Sequence, residues 1–148
     1  MKKLSKIMSI ISLDLQTDLP ALLTAEGLAQ FEEIQIGQSR DSKKLSFLIY
    51  DNSVFRDVEN RNLSLYFQAQ LYRIDYETAL KYIDVISDYF DSYDPENIGM
   101  VLYNGTDIEV FEIDHNLGTH AYFKVDFSEP LDSCDYLTGI AEVAGAIA

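Results

Sequence analysis

Residues Leu63–Phe90 read LSLYFQAQLYRIDYETALKYIDVISDYF, and the fold turns on where the rhythm of this stretch changes. Up to Ile74 its apolar residues alternate. Leu63, Leu65, Phe67, Ala69 and Leu71 fall on one side, and Ser64, Tyr66, Gln68, Gln70 and Tyr72 on the other. A period of two is that of an extended strand with one buried face. Beyond Asp75 the period becomes helical. Ala79, Ile83, Ile86 and Phe90 form one stripe, while Lys81, Asp84, Asp88 and Asp91 fall outside it. A short carboxylate can accept hydrogen bonds from the free N–H groups that open a helix, so Asp75 is the expected N-cap. Glu77 adds negative charge at the positive end of the helix dipole. The expected unit is a long strand running straight into a helix that folds back over the same sheet face. YDPEN (Tyr93–Asn97), then Gly99, closes it.

Upstream, Leu4, Ile7, Met8, Ile11 and Leu15 trace one face of a helix. Lys2, Lys3 and Lys6 stand at its start, where the dipole favours acids, which points them toward a partner. Pro20 is expected to end or interrupt this helix, with a short helical turn over Ala21–Ala25 and a stop at Gly27. FEEIQI (Phe31–Ile36) and KLSFLIY (Lys44–Tyr50) read as strands joined by the polar QSRDSKK (Gln38–Lys44). DNSVFRDVENRN (Asp51–Asn62) reads as a long polar loop carrying Val54 and Phe55, and long loops in compact domains tend to be functional or mobile.

Downstream, Met100–Tyr103 reads as a short strand, Asn104-Gly105 carries a turn signal, and Asp107–Ile113 reads as a further strand. DHNLGT (Asp114–Thr119) is a turn. His120–Phe127 alternates, with Ala121, Phe123, Val125 and Phe127 inward, so the two strands form an antiparallel hairpin. The order predicts an α+β domain: an antiparallel or mixed sheet of about five strands with two helices packed on one face. Residues 1–136 form this single domain. Residues 137–148, ending LTGIAEVAGAIA, form an apolar arm or short helix.

The 148 residues carry 25 acids and 11 bases, a net charge of −14. Residues 1–74 hold nine acids and nine bases, so residues 75–148, with only Lys81 and Lys124, carry the entire excess. Such a surface repels phosphate backbones and anionic membranes, which sets nucleic-acid binding aside and leaves room for a basic partner. The first twenty residues hold lysines but no unbroken apolar core or small-residue cleavage site, so they read as mature protein in a cytoplasmic setting. No apolar run approaches the roughly 20 residues of a spanning helix. The lone Cys134 can form neither an internal disulfide nor a zinc knuckle, and reads as an inert small side chain.

No constellation for chemistry stands out. His115 and His120, beside Asp114, match no strong metal spacing and read as solvated. Asp88, Asp91, Asp94 and Glu96 lack the layout of a calcium loop and read as a solvated acidic face. Glu109 and Glu112 point to opposite faces of a strand, so they are no paired acid and base. Neither an enzyme nor a cofactor is expected. Ten tyrosines are many for this length. Tyr66 and Tyr72, on the far side of the long strand, fit ordinary half-buried sheet or a protein–protein interface, where tyrosine is enriched.

In its order of elements the chain resembles the tail terminator (tail completion) proteins of long-tailed bacteriophages. The resemblance rests on the amphipathic KKLSKIMSIISLDL running into the proline-marked LPALLTAEGL, and on the strands FEEIQIG and KLSFLIY. It rests also on LSLYFQAQLYRIDYETALKYIDVISDYF and on the closing HAYFKVDFSEPLD; it covers roughly residues 4–135. It implies a virion protein, made in the host cytoplasm, that forms a hexameric ring on the tail tube. Such a ring stops tube growth, joins the tail to a head-completion or neck protein, and lets DNA through its centre. On this expectation Val54, Phe55, Arg56, Arg61, Tyr66 and Tyr72 contact the neighbouring subunit. Asp84, Asp88, Asp91, Asp94 and Glu96 would line the lumen and repel passing DNA. The alternative is an acidic inhibitor or immunity protein that neutralises a basic toxin or nuclease through charge complementarity.

Overall fold

The computed structural model describes residues 3–37, 46–57, 59, 61–95, 99–113 and 116–128. The expected start of the second strand at Lys44, the segment Gln38–Lys44, Glu96, His115, Cys134 and the arm 137–148 lie outside these residues. The chain is α+β, with two helices and an antiparallel sheet.

Helix α1 spans Leu4–Ala25. Ile7, Ile11, Leu15, Leu19 and Leu23 recur every four residues and are all buried. The helix runs through Pro20 rather than stopping there. An internal proline costs roughly 3 kcal/mol. Burying each of the leucines that flank it, Leu19 and Leu23, returns about 1.5–3 kcal/mol, which outweighs the loss. The helix ends where expected, at Gly27 (φ 70°). There the Leu28 N–H donates to Leu23 O at 2.9 Å and the Gly27 N–H to Thr24 O at 3.0 Å, the paired bonds of a Schellman cap.

Strand β1 (Glu33–Ile36) runs parallel to β2 (Ser46–Asp57), which pairs antiparallel with β3 (Asn62–Tyr72). β2 overturns the expected loop. Asp51–Asp57 continues the strand, with a register shift between Tyr50 and Phe55 that absorbs the polar Asp51-Asn52-Ser53. Phe55, Arg56 and Asp57 then pair with Ser64, Leu63 and Asn62, so the ladder with β3 carries the strand past the polar segment. The reversal before β3 places Arg61 in the left-handed region (φ 56°).

β3 buries the alternate face read from its sequence. After a left-handed Arg73 (φ 61°) the chain enters helix α2, Tyr76–Asp91. Asp75 is its N-cap. Its Oδ2 accepts from the Thr78 N–H at 3.2 Å, and its Oδ1 from the Thr78 hydroxyl at 2.6 Å. These bonds hold its carboxyl below the ordinary carboxylate range. Ala79, Ile83, Ile86 and Phe90 face the core, while Lys81, Asp84, Asp88 and Asp91 are exposed.

β4 (Met100–Ile113) is one strand, not two joined at Asn104-Gly105. That dipeptide forms a bulge. The register against β5 (Asn116–Ser128) slips between Tyr103 and Thr106, and Gly105 supplies φ 113°. β5 also starts earlier than expected, at Asn116. β5 lies between β3 and β4, and the sheet order is β1-β2-β3-β5-β4. One core joins the odd-numbered residues of β3 and β5 to both helices. Phe67 and Phe90 meet at 4.6 Å between ring centroids near its centre, and Phe123 lies 6.0 Å from Phe90.

Asp75→Ala is expected to lower the urea midpoint, with Asp75→Asn recovering most of the loss because an amide oxygen still accepts the Thr78 bond. Since the native carboxyl titrates below its unfolded value, the advantage of wild type over Asp75→Ala holds above the unfolded pKa. It shrinks as the pH falls through the lowered native one, a trend that midpoints measured between pH 7 and pH 3 will follow.

Candidate functional site

Two surfaces on opposite sides of the sheet gather the functional side chains. On the helix side, the exposed Asp84, Asp88 and Asp91 follow one another along α2. The last turn of α2 holds no basic residue. Acids at a helix C-terminus oppose the dipole, so helix stability does not account for their position.

Beyond Asp91 this acidic ridge opens into a cleft that residue-by-residue reading missed. It has a volume of about 550 Å³ and is lined by Asp14 and Asp18 from α1, by Tyr89 of α2, and by Tyr93, Asp94 and Pro95 just beyond that helix. The Tyr93 hydroxyl donates to Asp14 Oδ2 at 2.6 Å, and the Tyr89 hydroxyl to Asp18 Oδ2 at 2.8 Å. The two rings stack with centroids 5.2 Å apart. Burial first, then the carboxylate neighbours, push both phenols well above the usual tyrosine range, so they remain donors. The clue was present as the i, i+4 pair Asp14/Asp18 on α1 and as Tyr89 and Tyr93, one in the last turn of α2 and one just past it. Asp14 and Asp18 belong to the charge-balanced half of the sequence, so the boundary at residue 74 is not a boundary in space.

The helix-free side carries Tyr66, Gln68, Gln70 and Tyr72 of β3 beside His120, Tyr122 and Lys124 of β5. These groups bond mainly to one another. The Tyr72 hydroxyl lies 2.8 Å from His120 Nε2. Gln68 Nε2 donates to the Tyr122 hydroxyl at 3.1 Å, and Gln70 Nε2 to Gln68 Oε1 at 3.0 Å. Phe111 of β4 closes over His120, with ring centroids 4.3 Å apart. Gly118 makes room for this. A Cβ there would sit 2.6 Å from Phe111 Cζ and 2.9 Å from Tyr72 Cδ1. His120 is therefore a half-buried member of an aromatic cluster and not the solvated side chain expected. Burial lowers its pKa, and the nearby Glu109 opposes that shift.

The residues expected at a subunit contact separate. Val54, Phe55 and Arg56 lie in β2, and Arg61 in the reversal that follows, at the end of the sheet where Asn62 meets Ser128. Tyr72 is buried and sits at the far end, opposite Gly118. Between Ser64, the partner of Phe55, and Tyr72 the strand runs roughly 26 Å at about 3.3 Å per residue. Tyr66 lies between them, with Lys124 Nζ 6.0 Å from its ring centroid. Asp84, Asp88, Asp91 and Asp94 share the helix side. Among the described residues no three His, Cys, Asp or Glu side chains gather to hold a metal ion, and no helix is long and apolar enough to cross a membrane.

Two measurements probe the His120 cluster. Gly118→Ala forces the Phe111 and Tyr72 rings aside, so chemical denaturation should show a loss of about 1–3 kcal/mol. For His120, a native pKa below the unfolded value means that the unfolded chain binds more protons as the pH falls through the ordinary range near 6.5. Wild-type stability is expected to decline on acidification from pH 7 toward pH 5, and His120→Gln to flatten that part of the curve.

Comparison with known proteins adds no guide to these surfaces: no family model and no curated relative matches the chain.

Proposed function

We propose that this chain is a structural, non-enzymatic virion protein that builds a ring at the head-proximal end of a phage tail. It ends growth of the tail tube and joins the tail to a head-completion or neck protein while DNA passes through. The reading takes the subunit as a mixed sheet of about five strands with both helices on one face. It is carried by one observation, the acidic ridge along α2. Asp84, Asp88, Asp91 and Asp94 follow one another on the helix side, while the middle of the helix-free side holds a tyrosine-rich network and Lys124, with Asp107, Glu109 and Asp126 toward β4. Six copies with α2 turned inward would surround a bore with carboxylates, and phosphates would slide past without adhering. A closed ring needs two different patches that meet. Val54, Phe55 and Arg56 of β2 and Arg61 after it lie toward one end of the sheet and would supply one patch, with Tyr66 farther along β3. Tyr72, at the opposite end of β3, would lie outside this patch. No cofactor is involved. The protein would be made in the host cytoplasm and reside in the virion.

The cleft favours a second reading. Three carboxylates beside two stacked tyrosines suit the cationic side chains of a basic toxin or nuclease, as in an inhibitor or immunity protein.

Light scattering coupled to size exclusion, with electron microscopy of the purified protein, tests the first reading. The expected result is a ring whose bore is faced by α2. A strict monomer at high concentration, or carboxylates directed away from the bore, would overturn it. Reversing the charge at Asp88, Asp91 and Asp94 to lysine separates the two readings. A terminator keeps its ring and begins to retain double-stranded DNA, whereas an inhibitor loses its basic target by a factor of 100 or more.

A further inference from the structure

β4 is the last strand of the sheet, and among the described residues it pairs only with β5. From Thr106 to Ile113 its register is unbroken, so one row of backbone N–H and C=O groups points away from the sheet. Proteins usually blunt such an edge with lysine, proline or a bulge. β4 contains no lysine, arginine or proline, and its bulge lies above this segment, at Asn104-Gly105. Exposed large apolar residues concentrate on the same strand: Met100 (77%), Leu102 (62%), Val110 (51%) and Ile108 (41%).

The edge has two chemically distinct sides. Ile108 and Val110 pair with the buried Ala121 and Thr119, and so share the helix side. Asp107 and Glu109 pair with Tyr122 and His120 on the helix-free side. We propose that the Thr106–Ile113 edge takes up an extended segment of a partner protein in which basic and apolar residues alternate. Such a strand would continue the ladder, set its apolar residues beside Ile108 and Val110, and set its cations beside Asp107 and Glu109.

A second copy of this chain is a poor occupant. Antiparallel self-pairing that matches Ile108 with Val110 sets Glu109 against Glu109. Centring the pair on Ile108 sets Asp107 against Glu109 twice. Like charges directly opposite one another destabilise a sheet. The opposite sheet edge, β1, spans only Glu33–Ile36 and adds a carboxylate with no base. The proposal stands apart from the ring reading, and either can fail alone.

The probe is a fluorescent eight-residue peptide alternating lysine and valine, titrated into the full-length protein and followed by anisotropy. Saturable binding is expected, weakening at least tenfold in Asp107→Asn/Glu109→Gln and in Ile108→Thr/Val110→Thr. Reversal of Asp84, Asp88 and Asp91 on α2 should leave it within about twofold. A peptide N-methylated at alternate amides keeps its charge and loses its hydrogen-bonding edge, so it should bind at least tenfold more weakly to the wild type. That comparison decides even where a variant misfolds. No binding, equal binding of the N-methylated peptide, or equal binding to the Asp107/Glu109 variant overturns the proposal. So does an oligomer that Ile108→Thr/Val110→Thr dissolves, which would give the edge to a second copy.

Discussion

The architecture depends on the reversal at Arg73–Asp75, where a strand with one apolar face becomes a helix with one apolar stripe and the two are laid against each other. Arg73 takes the left-handed backbone that turns the chain, and Asp75 closes the first turn of α2 through Thr78. Neither group is part of the core. Between them they aim Ala79, Ile83, Ile86 and Phe90 at Leu65, Phe67 and Ala69. Once that contact exists, the far side of α2 must face solvent, and the acids placed there become a continuous ridge. The acidic ridge of α2 thus follows from the hydrophobic pattern of a single 28-residue stretch.

That stretch was legible because its information is local. Alternation, helical spacing and a capping aspartate each act within a few residues. The extension of β2 was not legible, because Asp51-Asn52-Ser53 breaks the alternation and only pairing with Leu63 and Ser64 restores the strand. Asn104-Gly105 misled for a related reason. The same φ > 0 preference serves a two-residue turn and a bulge, and the ladder with β5 decides between them. Pro20 is overridden by its buried leucine neighbours.

The surfaces divide in the same way. The outward acids of α2 follow from periodicity alone. The cleft does not, since the Tyr93–Asp14 bond joins residues 79 apart and the Tyr89–Asp18 bond residues 71 apart. His120 looked like a turn-proximal, solvated side chain until the strand registry placed Phe111 over it and Tyr72 beside it. The Val54–Arg61 group was recognised by composition, yet its place beside the β3 terminus comes only from tertiary pairing.

The central position of β5 has a bearing on biosynthesis. β3 cannot complete its ladder with β5 until Ser128, the partner of Asn62, has left the ribosome. At roughly 5–20 residues per second, the 56 residues between Tyr72 and Ser128 take about 3–11 s to appear. Over that interval the apolar sides of α1, β3 and α2 have no β5 to close them, and the nascent chain is exposed to chaperones and to aggregation. The last long strand of the sheet to be made is the one that joins β3 to β4, so the sheet is completed only after Ser128 is synthesised.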